Sequence, residues 1–183
     1  LAVYGEKRLG FGLLIAMIFS WSLIGTIVGT VLDPIFGAVG LSVMAIVGLY
    51  LGEKWIPNPN MRILGVTWVI ISMKLIYGLM LDLWHWGWLD DFSFADENDL
   101  LGALLLLGVV LNIVIAQRHD EDAIAAQATL ILLVVGSAAG AVYGEFGVAV
   151  MIGIGTILLH GLAIVRNSGN LASMGIAVSY LWV

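Results

Sequence analysis

Apolar residues gather into seven long runs, at about 9–32, 35–51, 62–81, 100–116, 123–142, 146–165 and from 170 onward, and the charges fall almost entirely in the gaps. Each complete run offers ~17–24 residues, enough at ~1.5 Å per residue for a helix to cross a hydrocarbon core ~30 Å thick. The runs lack the alternation of a barrel strand, and unpaired backbone groups are costly in hydrocarbon, so helix is predicted throughout. The fold class expected is all-α: a polytopic transmembrane helix bundle with seven visible spans.

The gaps carry helix punctuation. Asp33-Pro34 reads as an N-cap followed by a proline at the first helical position, opening the second span directly after the first. Asn60 is expected to cap the third span, Asp99 the fourth, Asp120 or Asp122 the fifth and Asn170 the seventh. Gly144-Glu145 makes a tight fifth-to-sixth connection. Small-residue spacings, Gly25-x-x-x-Gly29, Gly48-x-x-x-Gly52 and Gly136-x-x-x-Gly140-x-x-x-Gly144, let helix backbones approach closely; hinging is the second reading of such glycines.

Numbering the flanks alternately, Lys7, Arg8, Lys54, Arg62, Arg118 and Arg166 all fall on one side. The opposite side, formed by the turn at Asp33, the loop from Asp82 to Asp99 and the turn at Glu145, holds no Lys or Arg. The positive-inside rule then places the chain in the cell membrane with its N-terminus cytoplasmic and the acidic loop outside.

A shift of 110 positions brings Phe36-Gly37 onto Phe146-Gly147 and Asn60 to Val66 onto Asn170 to Ile176. The reading is a four-span unit repeated in tandem, with 1–116 the first unit and 117–183 a second, incomplete one; chance recurrence of Gly, Leu and Val is the alternative. An eighth span is then expected after Val183, and since residue 1 is Leu, the chain reads as a piece of something longer. No signal peptide is expected, because Leu9 to Leu32 is too long for an h-region.

With Gly52-Glu53-Lys54 after a helix pair, and Ala116 to Asp120 leading into an Ala/Leu-rich helix, residues 40–183 resemble large uncharacterised prokaryotic membrane proteins built from tandem hydrophobic units. The resemblance implies architecture only, since that family brings no chemistry or binding residues. The Trp-rich outer loop departs from it.

Composition narrows the remaining choices. Apolar residues make up 61% and charged residues 11%, a balance suited to lipid as solvent. The absence of cysteine excludes disulfides and thiolate chemistry, and a net charge of −6 argues against nucleic acid. The partners expected are membrane lipids and neighbouring membrane helices or subunits; no cofactor is expected.

Lys74 is the one cation inside a run, ~18 Å along the helix from Arg62. Snorkelling to the outer headgroups is the first reading. A structural ion pair is the second, and a transport or ligand role with Asp33, Asp82 or Glu145 the third. Thr67, Asn112, Gln127 and His160 lie at one depth near the cytoplasmic face; ordinary interhelical hydrogen bonding is the preferred reading of that layer. Trp84, Trp86 and Trp88 read as an interfacial belt, and the following carboxylates as a solvated loop rather than a calcium site. His85, His119 and His160 fall at different levels, so no metal site is expected, and no catalytic motif is present. A structural or assembly membrane module therefore ranks first, a transporter or ligand-binding bundle using Lys74 second, and an intramembrane enzyme third.

Overall fold

The structure is a computed structural model that describes residues 2–90, 97–121 and 123–128 and scattered positions between 131 and 176, with side chains from residue 16 onward apart from Glu97. Every element among the described residues is helical. Four helices have defined bounds: α1 (Ala2–Val31), α2 (Pro34–Trp55), α3 (Arg62–His85) and α4 (Glu97–His119). Among the described residues, three stretches are long and apolar enough to cross a membrane: Pro34–Trp55, Arg62–His85 and Asn98–His119. In α1 the apolar stretch described with its side chains is Ala16–Val31. The runs predicted at 123–142, 146–165 and from 170 lie largely outside the described residues. So do Phe146, Gly147, Asn170 and Gly175, the repeat's matching positions.

The chain divides into two compact units, Leu1–Trp88 and Leu89–Val183. In the first, α1 and α3 run parallel with α2 antiparallel to both. Glycine positions α2 against α3. At the turn end of this hairpin a Cβ on Gly65 would lie 2.6 Å from the backbone nitrogen of Ile56 and 3.0 Å from the carbonyl oxygen of Gly52. Farther along, Gly48 faces the Ser72 hydroxyl and the Trp68 ring. The buried positions of α2 (Gly37, Leu41, Ala45, Gly48 and Gly52) recur every three or four residues, one stripe of a helix. Its other face leaves Phe36, Val39, Val43, Ile46, Val47 and Tyr50 exposed.

Leu41, Ala45 and Leu75 form the core of this unit, with Trp21, Val28, Met44, Ile76 and Leu79 packed around it. Toward the basic end, the Trp21 and Trp68 rings meet edge to face at 4.9 Å, and Trp55 approaches Trp68 at 6.5 Å. Both geometries suit the quadrupoles of aromatic rings.

The helix ends show which sequence signals work. Asp33 caps α2 as expected, its Oδ1 accepting from the Ile35 amide at 3.3 Å with Pro34 behind it. Asn60 does not cap α3. Met61 occupies that position without a side-chain bond, while Asn58 Oδ1 accepts from the Asn60 amide. The Pro57–Pro59 stretch makes its own asparagine turn, which places Asn60 one residue too early. Asp99 is no N-cap either, because α4 already begins at Glu97.

α3 closes on Gly87 at φ 72, with the Gly87 amide donating to Trp84 O and the Trp88 amide to Leu83 O. Those two bonds make a Schellman motif, which needs a residue in the left-handed region. α4 closes the same way on Asp120 (φ 56), with the Glu121 amide reaching Ala116 O at 3.1 Å. Asp120 thus ends α4, whereas Glu121 O accepts from Ala125 at the start of the helical residues 123–128. Asp122 and Asn170 lie outside the described residues.

Candidate functional site

The seam between α1 and α3 holds Lys74 and Asp82. On α1, Ser22, Thr26 and Thr30 recur every fourth residue. Thr26 donates to Ser22 O at 2.9 Å and Thr30 to Thr26 O at 2.7 Å, the back-bonding expected of hydroxyls in an apolar helix. The Ser22 hydroxyl in turn accepts from Lys74 Nζ at 3.1 Å. Gly25 lies under Leu75, and Gly29 leaves the space where the Asp82 carboxylate sits, with Oδ2 2.9 Å from where a Cβ would be.

This arrangement decides how the Lys74 group is used within the seam. Asp82 follows Lys74 by eight residues, ~12 Å along the axis, and Leu75 fills the seam at Gly25, between the levels of Ser22 and Gly29. Asp33 is engaged at the α2 N-terminus. Neither carboxylate bonds the ammonium among the described residues, and Glu145 lies outside them. Ser22 precedes Val31, the last residue of α1, by nine positions, so the ammonium is held ~13 Å below that end of the helix. Lys74 is exposed at that level rather than drawn up to the helix end.

Ser22 and Lys74 also have the composition of a nucleophile and its base. Ser22 sits inside a continuous helix, however, where the backbone amides of its turn are committed to the helical ladder. No pair of free N–H groups is left there to stabilise an oxyanion. The pair is a helix-to-helix tie.

Of the predicted inner layer, one pair meets within the second unit. Asn112, fully buried, donates through Nδ2 to Gln127 Oε1 at 3.4 Å across the turn at Asp120. The two residues stand eight and seven positions from that turn, so the pairing follows from the hairpin register. Ala116, Ala125 and Ala128 beside them are buried and small, which permits close approach. Thr67 instead donates to its own helix at Ile63 O, 2.8 Å, and His160 Nδ1 lies 2.9 Å from Thr156 O. Both bonds are local.

Trp84 and Trp88 are exposed, in keeping with an interfacial role, but Trp86 packs over Gly37 at the start of α2 and against Trp88 at 5.6 Å. One member of the belt is thus a tertiary contact. The described His, Asp and Glu residues form no group of three able to hold a metal ion. Neither the Ser22 acceptor nor the Trp21–Trp68–Trp55 cluster is marked by a motif; for Ser22 the four-residue hydroxyl spacing is the available signal. No protein-family model matches the chain, and no curated protein or solved structure does either.

Proposed function

We propose that the chain is a structural or assembly module of a cell membrane, a multi-pass bundle whose packed units offer apolar faces to lipid and to neighbouring membrane subunits. The observation that carries this reading is the use made of the described polar side chains. Ser22 with Lys74 and Asn112 with Gln127 tie helices together, and Thr26, Thr30, Thr67 and Ser72 bond their own helix backbones. In this reading the seven spans, the tandem repeat and the likeness to large prokaryotic membrane-repeat proteins all concern architecture. Lys54 and Arg62 then mark the cytoplasmic end of the first unit, and Asp33 with the Trp84–Trp88 segment the outer end.

Photo-crosslinking in native membranes tests the reading. Benzoylphenylalanine placed singly at Phe36, Val43, Ile46 and Tyr50, all exposed on α2, is expected to give a discrete protein adduct from at least one position. Only lipid-sized adducts from every position would count against an assembly role.

A second reading, a ligand-binding or transport bundle, draws on the depth at which Lys74 is held. It is weaker because neither Asp33 nor Asp82 joins Lys74.

A further inference from the structure

We propose that the face of α3 bearing Lys74 receives a transmembrane helix of another polypeptide that carries a carboxylate at mid-membrane depth. The proposal rests on the assembly reading above and names the partner's chemistry. Lys74 is the thirteenth residue of the 24-residue α3, ~18 Å from Arg62 and ~16 Å from His85. Its ammonium has three protons to donate. One goes to Ser22, a neutral acceptor; among the described residues no carboxylate takes either of the others. An ammonium at that depth requires a counter-charge or water, and Ser22 supplies no charge.

The surroundings have the shape for a helix. Ile63, Val66, Ile70, Lys74, Gly78 and Leu81 follow one another at three- and four-residue steps, so they form one face of α3, and all are exposed or half-buried. One turn beyond Lys74, a Cβ on Gly78 would meet nothing within 4 Å. A glycine with open space above it lets a second backbone come close to the ammonium, as small residues do at helix contacts in membranes.

The sequence excludes the nearest alternative occupant. None of the 13 acidic residues lies inside an apolar run; Asp33, Asp82, Glu145 and the rest stand at run ends or in the gaps. A second copy of this chain inserted in the same sense therefore has no carboxylate to offer at the level of Lys74. The complementary charge must come from a different helix.

Synthetic transmembrane peptides supply the test. The full 183-residue chain, reconstituted in phosphatidylcholine vesicles and labelled with a fluorescence donor, is titrated with acceptor-labelled Leu/Ala peptides carrying Glu or Leu at the centre. The expected result is that the Glu peptide binds about tenfold more tightly than the Leu peptide. Lys74→Met should abolish that preference, and Lys74→Glu should transfer it to a peptide with a central Lys. The charge exchange separates recognition from simple loss of fold. Equal binding of the Glu and Leu peptides to the wild type would overturn the proposal, as would a preference that survives Lys74→Met. So would displacement of the Glu peptide by oleate at the same concentration, since the site would then take an amphiphilic carboxylate rather than a helix. Failure here with protein adducts still formed from α2 would remove this partner and leave the assembly reading standing.

Discussion

A single absent methyl group sets how closely α2 and α3 can approach. A Cβ on Gly65 would press on backbone atoms of Ile56 and Gly52, which cannot swing aside as a side chain tip can. A Cβ on Gly78 would enter open space. Alanine favours the helix over glycine by about 1 kcal/mol, whereas overpacking costs about 1–3 kcal/mol, so the two sites should respond with opposite signs. Gly65→Ala is expected to lower stability by about 1–2 kcal/mol and Gly78→Ala to raise it by about 0.5–1 kcal/mol, read from thermal unfolding in detergent micelles. Two changes of the same sign and size would show that helix propensity, not approach distance, governs these positions. The same contrast marks what a sequence reveals at this scale. Lys74 stands out because no other cation interrupts an apolar run, but its acceptor does not. Ser22 is 52 residues away, and a serine in an apolar helix is unremarked until a second helix lies beside it.

At the level of elements, the existence of the helices followed from run length, while their ends followed from turn chemistry that residue type alone specifies loosely. Asp33-Pro34 was legible because cap and proline act within one turn. Asn60 misled because Asn58 captures its amide first, and Asp99 because α4 starts two residues earlier. The Trp84–Trp88 segment looked like a plain interfacial belt until Gly87 reversed the chain and brought Trp86 over Gly37. Face assignment along α2 was also hidden, since its two sides are almost equally apolar and size, not polarity, distinguishes them. Ala45 sits in the core between Leu41 and Leu75, while Val43 is exposed on the opposite side. Ala45→Leu should therefore destabilise the first unit by about 1–3 kcal/mol, and Val43→Leu should stay within about 0.5 kcal/mol. Denaturation in mixed micelles would measure both; equal losses would mean that the assigned faces are wrong.

For the whole molecule, the distribution of charge along the chain and the packing of the first unit point the same way. Lys54 and Arg62 flank the α2–α3 turn at one end of the helices, and Asp33 and Asp82 lie toward the other. An apolar bundle with its Lys and Arg gathered at one end fits the pattern that the positive-inside rule describes. Function was far less legible than fold. The polar side chains whose bonds are described either tie two helices together or bond their own helix backbone, so residue identity signals packing more strongly than chemistry. The absence of cysteine makes the central claim, that α3 crosses the bilayer, directly measurable. Asn58→Cys and Asp90→Cys, both at exposed positions flanking α3, are treated in sealed cells with a membrane-impermeant maleimide. The account predicts that position 90 labels in intact cells and position 58 labels only after the membrane is opened. Labelling of both from the same side would contradict it.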